Sequence, residues 1–134
     1  MSIVGIVPAA GYATRLQPLE GSKELLPVAG KPVMDHVLDR MEAGGCDELR
    51  VVTRPEKEDV IEHAEARGAR VVLAYPETTS ESFAAGAEGL AGDDIVLLGW
   101  PDSICAIFSA KYSALAGSTA ASRTPGTCPV DAWR

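Results

Sequence analysis

The stretch SIVGIVPAAGYATRLQPLEGSKELLPVAGKP, residues 2–32, decides how this chain is read. Ile3, Val4, Ile6 and Val7 form a near-continuous apolar run, the pattern of a strand covered on both faces within a parallel sheet. The run passes into Ala9, Ala10, Gly11, Tyr12, Ala13 and Thr14, mostly small residues whose backbone N–H groups can approach an anion closely, with the Thr14 hydroxyl as a further donor. Arg15 adds a planar fork suited to two phosphate oxygens, and Lys23 adds a point charge. The same residues would serve in a plain turn with solvated cations. Two features favour phosphate: the position directly after the first strand, and a loop of about twenty residues, longer than the roughly 12 to 15 that structureless loops usually reach without a function.

Working outward, strands and helices alternate. Pro32 suits the first turn of a helix whose Val33, Val37, Leu38 and Met41 share one apolar face and which Gly44 and Gly45 stop. Leu49 to Thr53 reads as a second strand, Pro55 to Gly68 as a second helix with Val60, Ile61 and Ala64 inward, and Arg70 to Ala74 as a third strand. A polar connection from Tyr75 to Ser80 leads into a short helix through Ala91, and Asp94 to Gly99 is a fourth strand. This order predicts an α/β fold with a doubly wound, mostly parallel sheet, and such sheets bind ligands beyond the carboxyl ends of their strands. The loop holding Gly11, Arg15 and Lys23 and the segment holding Asp102 after strand four are therefore expected to share one site. Asp102 following Pro101 also suits an ordinary turn.

Bulk properties narrow the function. A chain of 134 residues, 46% apolar, suits one domain, and a formal charge of −7 disfavours sequence-independent binding to nucleic acid or to an anionic membrane. No apolar run approaches the ~20 residues that cross a bilayer. Met1 to Ala10 lacks the basic start of a secretory signal and is expected to be the first strand. Cys46, Cys105 and Cys128 fit neither a disulfide framework nor a paired-cysteine zinc site, which points to thiols in a reducing cytoplasm. His36 and His63 lack a ligand cluster, Asp35 and Asp39 read as a polar helix face, and Trp100 reads as packing.

The loop is neither a Walker A sequence nor a dinucleotide fingerprint, for Gly11 stands alone. Gly11-Tyr12-Ala13-Thr14-Arg15-Leu16, then Ser22-Lys23-Glu24-Leu25-Leu26-Pro27-Val28 and Lys31-Pro32, resembles the signature of the sugar nucleotidyltransferases, which include glucose-1-phosphate thymidylyltransferase and its uridylyl and guanylyl equivalents. The resemblance implies a Rossmann-like nucleotidyltransferase fold and transfer of a nucleoside monophosphate from a nucleoside triphosphate to a sugar 1-phosphate or similar acceptor, releasing pyrophosphate. It implies that the amides of Ala9 to Ala13, with Tyr12 and Thr14 in the same loop, and Arg15 hold the triphosphate, that Lys23 contacts the α-phosphate under attack, so that Arg15 and Lys23 are the catalytic residues, and that Asp102 binds Mg²⁺. Ala13 stands where the family usually has glycine and is tolerable only if the backbone avoids a positive φ. The family's base-reading Gln is absent after the third strand; Thr78 or Ser80 could reach a base, although Ser80 suits a helix cap better.

The resemblance covers residues 1–104, read as the nucleotide-binding part. Through residue 104 there are eighteen acidic and nine basic residues, whereas residues 105–134 hold one acidic and three basic ones. That tail, largely Ala, Ser, Thr, Gly and Pro, is expected to be irregular or disordered and to reflect a truncated or frame-shifted member lacking the acceptor half. Two alternatives stand beside the enzyme reading: a non-catalytic nucleotide-binding or regulatory module, and a cytidylyl- or guanylyltransferase of another acceptor. The oligomeric state has no signature in the sequence.

Overall fold

A computed structural model of the chain describes residues 2–14 and 18–101, and the backbone of 107–111. The elements run β1 (Ile3–Pro8), β2 (Pro27–Val28), β3 (Lys31–Pro32), α1 (Val33–Ala43), β4 (Glu48–Thr53), α2 (Glu58–Ala66), β5 (Arg70–Leu73), α3 (Thr79–Gly86), β6 (Ile95–Gly99) and β7 (Ile107–Lys111). Five strands form one sheet in the order β5-β4-β1-β6-β7, parallel except for β7, which runs antiparallel to β6. Chain order steps from β1 to β4 to β5, then returns past β1 to β6 on its other side. That reversal beside β1 is the topological switch point expected from the alternating pattern.

The central strand explains its own composition. Val4 and Ile6 join Val52, Val96 and Ala87 in one core, while Val7 joins Met34, Val37, Leu38, Met41, Val51 and Val60 in the other. Helices α1 and α2 thus cover one face and α3 the other. Two glycines set how near the helices come. A Cβ on Gly5 would sit 2.7 Å from Met41 Sδ and 2.8 Å from Leu49 Cδ2, and one on Gly86 would sit 2.5 Å from Ile6 Cγ2 and 3.0 Å from Val52 Cγ2. The foot of α3 is also bound by buried Arg50, whose Nη1 donates to the carbonyls of Gly86 at 2.8 Å and Glu88 at 2.9 Å, filling acceptors that a helix end leaves open.

Several details depart from the sequence reading, each for a local reason. The long loop carries structure of its own: a 3-10 turn at Lys23–Leu25 and the two-residue hairpin β2–β3. Helix α2 begins at Glu58, because Pro55 and Glu56 are spent in a turn closed by Lys57 N–H on Arg54 O at 3.1 Å. Helix α3 stops at Gly86, well before Ala91, and Gly89 follows at φ +81°. Residues 107–111, expected within an irregular tail, form β7. Among the described residues no helix is long and apolar enough to cross a membrane.

Adding a single methyl at the closest helix-to-sheet approach tests this packing. Gly86→Ala should lower unfolding stability by about 1–3 kcal/mol, since Ile6 and Val52 lie in backbone-fixed positions and cannot withdraw freely. Denaturant unfolding of the two proteins would measure the difference.

Candidate active site

A cleft of about 340 Å³ opens at the carboxyl ends of β1 and β6. Ala10, Gly11, Tyr12, Thr14 and Lys23 line it from the segment after β1, Arg54 from the end of β4, Pro76 to Thr79 and Ser82 from the approach to α3 and its first turn, and Trp100 and Pro101 from beyond β6. Five of the nine sequence-predicted residues, Ala10, Gly11, Tyr12, Thr14 and Lys23, therefore line one cleft. Ala9 is wholly buried beneath the cleft, Ala13 does not line it, and Arg15 and Asp102 lie outside the described residues. Trp100 packs edge-on against Phe83, with centroids 5.5 Å apart, as well as lining the cleft.

Lys23 owes its place to bonds made by residues on either side of it. Glu24 is fully buried, and Lys57 Nζ donates to both its carboxylate oxygens at 2.9 Å and to Ala9 O at 2.9 Å. A carboxylate taken wholly out of water is tolerable only when paired and hydrogen-bonded in this way. On the other side, Ser22 donates through N–H and hydroxyl to the Asp59 carboxylate, each at 2.8 Å. Leu26 O then receives Val33 N–H at 2.8 Å, joining the turn to α1. The first turn of α2 and the residue before it thus hold the turn that carries Lys23 against the end of β1.

Sequence reasoning missed Glu24, Lys57, Asp59 and Arg54. A charged residue in a loop or at a helix start reads as solvated, and the pairing of Lys57 with Glu24 spans 33 residues. Arg54 was within reach of the switch-point rule, since it follows a strand neighbouring β1.

Other expectations change. Asp35, on the polar face of α1, is buried: it meets His63 Nε2 at 2.6 Å and Arg67 Nη1 at 3.5 Å. Arg67 also bonds Asp39 at 2.6 Å, and Lys31 pairs with Asp39, so this network joins α1 to α2 and has no share in the cleft. The hydrogen bond from Lys31, then that from Arg67, holds the Asp39 carboxyl below its ordinary pKa. The cap of α3 is Thr78, whose hydroxyl accepts from Glu81 N–H at 3.2 Å, and not Ser80. Cys46 packs against the α1 core, where burial and then neighbouring Asp47 push its thiol up to about 11, leaving it protonated and weakly nucleophilic at neutral pH. Cys105 and Cys128 lie outside the described residues.

Ala13 is the sharpest departure. Its φ is +53°, the left-handed region that the sequence reading required it to avoid. The chain keeps the glycine-like conformation without the glycine.

Ala13→Gly should accordingly raise stability by about 0.5–1 kcal/mol, the relief of a left-handed Cβ less the entropy of a new glycine, measurable by thermal or denaturant unfolding. Asp59 gives a pH signature. Partial burial raises its pKa, but the bonds from the Ser22 hydroxyl, Ser22 N–H and Val60 N–H outweigh this and hold the carboxyl below its ordinary value. Its stabilisation is therefore complete above the unfolded value of about 3.9 and is lost as pH falls through the lower folded value. Asp59→Asn should lower the melting temperature at neutral pH and flatten the acid side of a melting-temperature profile against pH.

The chain is similar to known proteins. The chain is 38% identical over 101 residues to 3-deoxy-manno-octulosonate cytidylyltransferase of Yersinia pseudotuberculosis, taking in 72% of this chain and 38% of that protein. It is 37% identical over 60 residues to UTP–glucose-1-phosphate uridylyltransferase of Mycoplasma pneumoniae, covering 43% of this chain and 21% of that one. Among solved structures, a nucleotidyl transferase from Methanothermobacter superposes with a TM-score of 0.64 at 28% identity, over 78% of this chain and 52% of that one. A 4-diphosphocytidyl-2C-methyl-D-erythritol synthase shares the fold, with a TM-score of 0.62 at 24% identity over 78% of this chain and 48% of that one. The chain thus spans about half or less of the length of these proteins. The profile of the MobA-like NTP transferase domain matches residues 5–125, past the boundary at 104 drawn from the sequence, and with nine-tenths of the chain inside that match the chain belongs to the MobA-like NTP transferase domain family.

Proposed function

We propose that this chain binds a nucleoside triphosphate in the cleft after β1 and supports transfer of its nucleoside monophosphate to a sugar phosphate or related sugar derivative. An acceptor oxygen attacks the α-phosphorus as the bond to the β-phosphate oxygen breaks, and pyrophosphate leaves. One observation carries this reading: Lys23 and the small residues Ala10, Gly11 and Thr14 share a single cleft at the switch point of the sheet. Such a reaction asks the protein for positioning and charge neutralisation rather than a covalent intermediate. The acceptor class follows the names of the two curated relatives, both of which act on sugar derivatives.

In this reading Arg15 and Lys23 neutralise the triphosphate, and the backbone from Ala9 to Thr14 lines its path. Mg²⁺ would supply further neutralisation of phosphate charge. Among the described residues no group of three or more His, Cys, Asp or Glu could hold a metal by itself. A nucleotide-borne Mg²⁺ does not need one, because phosphates and water complete a shell that one or two carboxylates anchor. Asp102 is the residue we assign to it, next in sequence to Pro101, which lines the cleft. Residues 1–104 are the proposed nucleotide-binding part, in a cytoplasmic setting consistent with the unpaired Cys46 thiol.

Pyrophosphate release with a panel of nucleoside triphosphates and sugar phosphates in Mg²⁺ is the test. Lys23→Ala should slow release by about 10²-fold or more while changing unfolding stability far less. Nucleotide binding without release for every acceptor would instead favour a module that holds the triphosphate without turnover.

A further inference from the structure

Arg54 stands between the two loops that form the lips of the cleft and bonds to both. Its Nε donates to Ala10 O, on the loop after β1, at 2.8 Å, and its Nη2 donates to Pro76 O, on the loop after β5, at 2.6 Å. The guanidinium carbon lies 4.4 Å from the centroid of the Tyr12 ring and 5.8 Å from that of Tyr75. Both tyrosines are largely exposed, at 58% and 64%, so their rings stay open to solvent beside the cation. Arg54, Tyr12 and Pro76 also line the cleft that holds Lys23.

A guanidinium is suited to this place as no other side chain is. It is planar, always charged, donates in several fixed directions and stacks on aromatic faces. Two of its donors are spent on main-chain carbonyls from different loops, so what Arg54 fixes is the relative position of the lips. Neither carbonyl belongs to a helix or strand, so each, on a buried residue, takes from Arg54 a donor that no ladder supplies. Beside this guanidinium the Tyr12 ring supplies a planar π system, whereas Lys23 is a compact charge. A ligand that carries both a flat heteroaromatic ring and phosphates matches that division.

We propose that Arg54 is a positioning residue for the nucleobase: by tying Ala10 O to Pro76 O it sets the spacing of the lips and holds the Tyr12 ring as a wall against which the base rests. This rests on the reading of the cleft as a nucleoside triphosphate site, and it adds a residue that acts on the base rather than on the phosphates. Arginine-to-lysine is not conservative here, because an ammonium has no plane to stack and cannot reach two carbonyls in a fixed fork.

Isothermal titration of the full chain with inorganic tripolyphosphate and with each of the four common nucleoside triphosphates separates base from phosphate. Wild type is expected to bind tripolyphosphate and to rank the four nucleotides. Arg54→Met and Arg54→Lys should each weaken the preferred nucleotide about tenfold or more, compress the ranking, and leave tripolyphosphate within about twofold. Should either variant fail to fold by thermal unfolding, Tyr75→Leu, an exchange on a residue 64% exposed whose ring also faces the Arg54 guanidinium, takes its place with a split in the same direction. Equal loss of tripolyphosphate and nucleotide would overturn the role assigned to Arg54 while leaving the phosphate site intact. Wild type binding neither probe would overturn the nucleotide reading and this inference with it.

Discussion

Everything at the cleft depends on how one ammonium group is shared. Lys57 Nζ gathers the Glu24 carboxylate and the Ala9 carbonyl at once, and so brings together the start of α2, the turn within the long loop and the end of the central strand. Without that meeting the loop would have little to fold against, since its own sequence supplies small residues and only a two-residue hairpin. The geometry of Lys23 is thus imposed from a helix that begins 35 residues later. Asp59, two residues after Lys57, repeats the device through Ser22, so the same end of α2 grips the turn from both sides of Lys23.

Burial in the two cores was legible in the sequence because it leaves a periodic trace. Val4 and Ile6 face one core and Val7 the other, and the apolar positions of α1 are buried as their spacing demands. The strand order followed from alternation and from the rule for parallel crossovers. What stayed hidden were contacts with no period. The hairpin β2–β3 is obscured because Pro27 and Pro32 read as breakers, and β7 because its neighbours are small and polar. Buried charge hid best of all: Glu24, Asp35 and Arg50 look solvated until the partners that satisfy them are seen.

The cleft itself divides along the same line. Ala10, Gly11, Thr14 and Lys23 were named from residue type and place in the loop, because phosphate chemistry has a recognisable vocabulary of small residues and cations. Arg54 had no such vocabulary. Its significance lies in two main-chain carbonyls, which every residue possesses and no sequence advertises. Ala13 shows the converse, a conformation retained where the usual residue is absent, so that backbone shape at the loop is set by its surroundings and not by the local side chain.

The reversal of direction at β7 has a consequence for how the chain is routed. A further parallel strand would require the chain to travel the length of the sheet and back, usually through a helix of a dozen residues or more. Because β7 pairs antiparallel with β6, with Gly99 opposite Ile107, the chain leaves and re-enters the sheet at the same end, the one where Trp100 and Pro101 meet the cleft. A single change of strand polarity thereby brings the start of β7 to the cleft end of the sheet, where a further parallel strand would have begun at the opposite end.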